Sequence, residues 1–69
     1  MDNKIPKELG NKLKTAREKE KLTQSEVADK TDMTVNYYAM IERGEVNVTY
    51  DKLRKLLKLL KMNPSELPL

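Results

Sequence analysis

The chain has 69 residues, with 14 lysines and arginines against 11 acidic residues, and it contains neither cysteine nor histidine. Its length suits one small domain, and the missing residue types exclude disulfides, the common zinc sites and the usual general base near neutral pH. Since it has no apolar run of about 18 residues and no signal-peptide core, we expect a single cytoplasmic domain over residues 1–69, without membrane, metal or cofactor.

The net charge of +3 is unevenly distributed along the chain. Residues 1–21 hold seven cations and four anions, residues 22–50 hold two and five, and residues 51–69 hold five and two. Two basic flanks therefore bracket an acidic middle. The flanks favour a polyanion as partner, although a surplus of this size is equally typical of ordinary solubility.

Apolar residues recur every three or four positions near the N-terminus, which predicts a first amphipathic helix over residues 6–21. Pro6 suits the first turn of such a helix, because its missing N–H would have no helical partner there. The side chains expected to face the core are Ile5, Leu9, Leu13 and Ala16.

A capping box predicts the start of a second, short helix, because Thr23 is followed three positions later by Glu26. Asp32 ends this helix in the left-handed conformation that aspartate tolerates, and Met33 returns to the core. The inward-facing residues of the helix are expected to be Val27, Ala28 and Thr31.

The third helix is predicted between a Thr34 cap and Gly44, which suits the left-handed residue just after a helix. A helical advance of about 100° per residue puts Tyr38 and Ile41 on the core side. The opposite side has only one ionised residue, so it is not an ordinary solvated face; it consists of Val35, Asn36, Ala39, Met40 and Arg43.

A fourth helix is predicted after Thr49, which serves as its cap, and Asp51 favours its N-terminal dipole. The apolar stripe of this helix is expected in the core and consists of Leu53, Leu56, Leu57 and Leu60. Leu59 lies off the stripe, which makes it a candidate for a dimer seam together with Leu67 and Leu69.

A last, one-turn helix is predicted from Asn63 as cap, Pro64 at the first position and Glu66 at the third. The sequence therefore predicts an all-α, compact five-helix domain. The connection between the second and third helices, about three residues, is too short for an antiparallel hairpin. It suits the steep crossing of a helix-turn-helix, whose second helix can enter the major groove of DNA.

The stretch from Gln24 to Arg43 resembles the Cro/cI-type, phage-repressor-like helix-turn-helix family. The residues that carry the resemblance are Ala28 at the helix crossing, the apolar Val27, Met33, Tyr38 and Ile41, and the motif IERG. It extends over about residues 9–67 and implies a lambda-repressor-like fold with the helix-turn-helix at about 23–43. The family further implies a sequence-specific transcriptional regulator, here expected to be a repressor, that binds double-stranded DNA as a homodimer on a palindromic operator.

Applied to this chain, the resemblance implies that the helix at 34–43 reads base edges through Val35, Asn36 and Met40. The amide of Asn36 suits N6 and N7 of adenine, and the two apolar side chains suit thymine methyl groups. The resemblance also implies contacts to the DNA backbone from Gln24, Thr34, Tyr37 and Arg43. For three of these residues a structural role stays open as the alternative. Gln24 can be a favourable first-turn residue, Thr34 a cap alone, and Tyr37 can pack against the loop.

Two positions depart from the family pattern and place negative charge near the expected phosphate path. Asp32 occupies the turn position usually filled by glycine, and Glu45 begins a loop that is often basic. Asn47 and Thr49 supply side-chain donors to the DNA backbone at the start of the fourth helix. We therefore expect binding that is weak or strongly dependent on dimerisation.

One arginine is expected inside the fold rather than on DNA. In the resembled family, the arginine at the position of Arg17 pairs with the glutamate of IERG, here Glu42, which implies a structural ion pair. Replacing Arg17 by alanine should therefore lower thermal stability before it affects DNA binding.

A second function stays open, a protein-interaction module or antitoxin-like protein that keeps the fold and binds a protein partner with weak DNA affinity. The acidic middle and the apolar Val35, Tyr37 and Met40 favour it, and salt dependence separates it from DNA binding. An enzyme is not expected, because Glu18 and Glu20 form no obvious catalytic pair and no phosphate-binding glycine loop is present.

Overall fold

The computed structural model describes the backbone of residues 4–66 and the side chains of residues 7–66. This part of the chain contains no strand and consists of α1 (Lys4–Lys19), α2 (Gln24–Lys30), α3 (Val35–Arg43), α4 (Tyr50–Leu59) and a 3₁₀ turn (Pro64–Glu66). Among these residues, none of the helices combines the length and the apolar composition that a membrane span requires.

The all-α prediction is confirmed, but the prediction of five helices is wrong, since four α-helices lie within residues 4–66. The last segment closes only one 3₁₀ turn, in which the backbone N–H of Glu66 donates to the carbonyl of Asn63 at 2.9 Å. Three residues are too few to propagate the α-helical hydrogen-bond pattern.

Side-chain caps start three of the α-helices. The predicted capping box of α2 is confirmed, because Glu26 N–H donates to Thr23 Oγ1 at 3.0 Å and Thr23 N–H donates to Glu26 Oε1 at 2.8 Å. The hydroxyls of Thr34 and Thr49 each accept from the backbone N–H three residues later, at 3.1 and 3.4 Å. The helix starts are therefore fixed by contacts between near neighbours in sequence.

The four α-helices within residues 4–66 end alike, each followed by a residue in the left-handed region: Lys21, Asp32, Gly44 and Lys61. The next residue then donates its backbone N–H to the carbonyl five positions earlier, at 2.9 to 3.1 Å. This confirms the predictions for Asp32 and Gly44. It also explains why α1 ends at Lys19, two residues earlier than predicted, since Lys21 leaves the helical conformation.

Helix α3 lies at the centre of the fold and packs against both α1 and α2. The core consists of Leu13, Val27, Ala28, Tyr38, Ile41, Leu56 and Leu60. Gly10 allows the close approach of α1, because a Cβ atom there would overlap the carbonyl oxygens of Ile41 and Glu42. Ala39, expected on the outer face, is only 9% exposed. Two packed helices cover a wider arc of α3 than the periodicity indicates.

Helix α4 buries a different arc from the one predicted. Leu56 and Leu60 are buried, and Leu59, expected off the apolar stripe, packs against the core. The hypothesis that placed Leu59 at a dimer seam also named Leu67 and Leu69, which lie outside the described residues.

Leu53 and Leu57, predicted to be core residues, are half-buried and line a surface groove instead. The α4 groove, as we name it, consists of Tyr50, Leu53, Leu57, Met62 and Pro64, with Arg54 and Lys58 also in its lining. Tyr50 is 73% exposed. Apolar residues extend over so much of α4 that periodicity alone could not indicate which arc packs inward.

Candidate nucleic-acid interface

Three side chains from different helices meet in a polar junction formed by Arg17, Gln24 and Glu42. Arg17 donates to both carboxylate oxygens of Glu42, from Nε at 2.7 Å and from Nη2 at 3.3 Å. Gln24 donates from Nε2 to the same carboxylate at 2.9 Å. The side chains of Arg17 and Glu42 are only 13% and 4% exposed. The junction therefore ties α1 and the start of α2 to the end of α3.

The charge of Glu42 is maintained by its hydrogen bonds. Burial alone would raise the pKa of this carboxyl, but the bonds from Arg17 and Gln24 outweigh burial and hold the pKa below its ordinary value. The nearby Tyr38 hydroxyl is buried and has no hydrogen-bond partner of acceptable geometry within the described residues. We therefore assign the lowered pKa to the other two partners.

The outer face of α3 brings together the three residues expected to read bases. Val35 is 49% exposed, Asn36 is exposed and Met40 is half-buried. The Asn36 amide nitrogen lies 3.9 Å from the Met40 sulfur, a weak contact that leaves most of the amide's hydrogen-bonding capacity for a ligand. The face thus presents one amide between apolar side chains.

Two residues expected to contact the DNA backbone are helix caps that can still donate a hydrogen bond. The hydroxyl oxygens of Thr34 and Thr49 accept bonds within the protein, which leaves each O–H available as a donor. Gln24 has a different environment from the one expected, because one of its amide donors is directed at Glu42.

Tyr37 and Asn47 lie beside each other at the loop before α4. The Tyr37 ring is half-buried against the core, and its hydroxyl lies 3.5 Å from the Asn47 carbonyl oxygen, too far for a strong bond. Lys52 Nζ lies 5.7 Å from the centre of the ring. The tyrosine therefore packs against the loop while its hydroxyl stays exposed enough to act as a donor.

Arg43 is engaged with Glu45 in an exposed, forked ion pair, with Nε 2.9 Å and Nη2 3.1 Å from the carboxylate oxygens. The two side chains are 54% and 51% exposed. The hydrogen bond from Arg43 lowers the pKa of Glu45, so the acid stays charged. The sequence predicted that Glu45 would repel DNA. It did not indicate that Glu45 forms an ion pair with Arg43, which was itself expected to contact the DNA backbone.

The other acidic departure from the family pattern also lies near a cation. Lys55 Nζ lies 3.8 Å from Asp32 Oδ2, at the edge of an ion-pair distance, and both side chains are exposed. This pair connects the turn before α3 with α4 across 23 positions of sequence, a distance over which no local pattern points to a contact.

A notch that sequence reasoning missed lies beside the polar junction. It is lined by Lys7, Asn11, Lys14, Gln24, Glu42 and Arg43. The sequence had indicated only a solvated face for the α1 lysines. The spacing of seven residues between Lys7 and Lys14 was the available signal, because it puts both on one side of a helix.

Residues 13–67 match the profile of the helix-turn-helix family. The chain belongs to the Cro/cI-type helix-turn-helix family. It is 34% identical over 68 residues to control protein C.BamHI of Bacillus amyloliquefaciens. The alignment covers 97% of this chain and 84% of that protein. Regulators of the helix-turn-helix family bind DNA, so the prediction of a DNA-binding regulator is confirmed at the level of the family.

The fold of this helix-turn-helix protein is also similar to a solved structure. The restriction-modification controller protein C.AhdI from Aeromonas hydrophila superposes with a TM-score of 0.81 at 28% sequence identity. The superposition covers 88% of this chain and 92% of that one.

Proposed function

We propose that this protein is a controller-type transcriptional repressor that binds a palindromic operator as a homodimer and inserts α3 into the major groove. The observation that carries the proposal is the outer face of α3, where Asn36 is exposed between Val35 and Met40. The whole chain, residues 1–69, would act as one domain in the cytoplasm, and the proposal includes no catalytic step.

The base contacts follow from the chemistry of that face. An asparagine amide can donate to N7 and accept from N6 of adenine at once, which discriminates against a wrong base by about 1–3 kcal/mol. The Val35 and Met40 side chains supply apolar contacts for thymine methyl groups on either side.

The backbone contacts come from residues around α3 that keep a donor. Those we propose are Gln24, Thr34, Tyr37, Arg43, Asn47 and Thr49. Most are neutral, so they orient the protein on the duplex while contributing little to its charge-driven affinity. Arg43 can join them only when a phosphate displaces Glu45 from its guanidinium.

The α4 groove is the surface we propose for the second subunit. A two-fold interface places the same patch on both subunits, so an apolar groove meets its own copy. Arg54 and Lys58 lie in the lining of the groove, and the Arg54 guanidinium lies 5.8 Å from the centre of the Tyr50 ring. Pairing two such surfaces brings like charges together, so salt should strengthen the dimer while it weakens DNA binding.

Replacement of Leu57 by serine tests this surface. Because each dimer loses two apolar contacts, the dimer dissociation constant should rise about tenfold or more, as measured by sedimentation equilibrium. Val35→Ser is the matched control, since it removes an exposed aliphatic side chain from another face. A wild-type protein that stays monomeric, or equal effects of both substitutions, would contradict the assignment.

The proposed function is tested by selecting duplexes from a random-sequence DNA pool at low and near-physiological salt. A palindromic consensus with half-sites about one helical turn apart, some 34 Å, supports the proposal. Recovery of no consensus, with only weak and salt-labile binding, would contradict it. That outcome would favour the protein-interaction module instead.

A further inference from the structure

The notch between α1 and the helix-turn-helix has a volume of about 450 Å³ and is lined mostly by side chains that donate hydrogen bonds. Lys7, Asn11 and Lys14 contribute from α1, Gln24 from the start of α2 and Arg43 from the end of α3. The three α1 residues lie at spacings of four and three, so they share one side of that helix. Donors from three helices therefore converge on one concave surface.

Anionic groups cancel only part of this positive surface: Arg43 is already paired with the exposed Glu45, and Glu18 lies one turn beyond Lys14 on the same side of α1. The acid in the lining is Glu42, whose side chain is 4% exposed and is neutralised by Arg17. Lys7 and Lys14 are exposed. The backbone of Lys7 lies directly against Gly44, because a Cβ atom added to Gly44 would overlap it. This contact holds Lys7 beside the end of α3.

We propose that the notch binds the phosphate backbone of the operator, with Lys7, Asn11 and Lys14 extending the DNA interface onto α1. This inference rests on the proposed function and adds contacts that lie outside the helix-turn-helix. The notch is continuous with that interface, because two of its lining residues, Gln24 and Arg43, are themselves proposed backbone contacts.

The dimensions of α1 suit a contact to more than one phosphate. Seven residues of α-helix rise about 10 Å, whereas phosphates follow one another at about 3.4 Å per strand along the DNA axis. The two lysines can therefore neutralise different phosphates, and Asn11 lies between them in sequence as a neutral donor. These cations compensate for the scarcity of positive charge in the acidic middle of the chain.

The test compares two double variants of the full chain on the selected operator. Lys7→Gln with Lys14→Gln removes the charges of the notch but keeps most of the side-chain length. Lys12→Gln with Lys19→Gln is the matched control, because it removes the same charge at the same spacing from another side of α1, where both residues line a different cleft. Melting temperatures establish that both variants are folded.

The expected readout is the dependence of operator affinity on salt. Each phosphate contact contributes about 0.9 to the slope of log K against log salt, and the dimer carries two copies of each lysine, so the notch variant should lose about 3.6 units of slope. Its affinity at low salt should fall about tenfold or more, whereas the control should stay near the wild type. Equal changes in both variants, or none in the notch variant, would overturn the proposal.

The same data separate this inference from the proposed function. A wild-type protein that selects no operator contradicts the proposed function and the notch together. A notch variant that selects the same operator with an unchanged salt slope overturns the notch alone.

Discussion

Glu42 and Arg43 are neighbours in α3, yet each belongs to a different arginine–glutamate pair. Glu42 binds Arg17 of α1, and the two side chains are 4% and 13% exposed. Arg43 binds Glu45 two positions away, and both are about half exposed. The bonds have similar lengths, with Nε–O distances of 2.7 and 2.9 Å. What differs is access to water, and with it the consequence of breaking the pair.

Burial makes the Arg17–Glu42 pair part of the fold. A charge left there without its partner has few routes to solvent, so loss of either side chain destabilises the protein. The Arg43–Glu45 pair is screened by water and closes only a short loop, so it contributes little to stability. Its exposed guanidinium can instead exchange the carboxylate for another anion, such as a DNA phosphate.

The largest expected effect comes from replacing Glu42 by alanine. The substitution leaves Arg17 without its carboxylate partner and removes the acceptor of Gln24. The free energy of unfolding should therefore decrease by about 3 kcal/mol. Urea unfolding at neutral pH measures this change. Glu45→Ala is the control and should leave the urea midpoint unchanged. Similar losses in the two variants would contradict the distinction between the pairs.

Acid should remove the contribution of Glu42 as well. Its pKa in the folded protein lies below the ordinary value of 4.5, so its stabilisation is present above that value and is lost as the pH falls through the folded pKa. The urea concentration at the unfolding midpoint of the wild type should therefore decrease when the pH is lowered below about 4.5.

The matching variant, Glu42→Gln, carries no titrating group at this position. Its urea midpoint should be lower at neutral pH and should change less in acid than that of the wild type. Parallel curves for the two proteins between pH 7 and the acid range would show that Glu42 does not supply the pH dependence.

A smaller effect is expected from the exposed pair, and it concerns DNA rather than stability. Glu45→Gln releases Arg43 and removes a negative charge near the proposed phosphate contacts, so operator affinity should rise about threefold and the salt slope by about one phosphate contact per subunit, two for the bound dimer. The control is Asp29→Asn, which makes the same change in net charge at an exposed position of α2. Weaker binding by the Glu45 variant would mean that the pair orders the loop for DNA.

Sequence reasoning predicted the features that depend on neighbouring residues. The capping box of Thr23 and Glu26, the left-handed Asp32 and the helix end at Gly44 all involve contacts within five positions of the chain. Such signals act before the tertiary fold is formed, so one sequence is enough to find them.

The features it missed depend on how the helices pack. Leu53 and Leu57 have the periodicity of core residues, yet the position of α4 leaves them in a groove and brings Leu59 inward. The bond between Gln24 and Glu42 spans 18 positions, and no local pattern indicates it. The pairing of Arg43 with Glu45 was closer in sequence but required the loop geometry after Gly44.

The reading of bases by α3 is the central claim, and Asn36→Ala on the selected operator tests it most directly. Affinities of the wild type and the variant should be measured for every single base-pair change in one half-site. We predict that the variant loses discrimination at one position per half-site, by about 1–3 kcal/mol, and keeps it elsewhere. A loss of affinity that is equal on every sequence would contradict base reading by this residue.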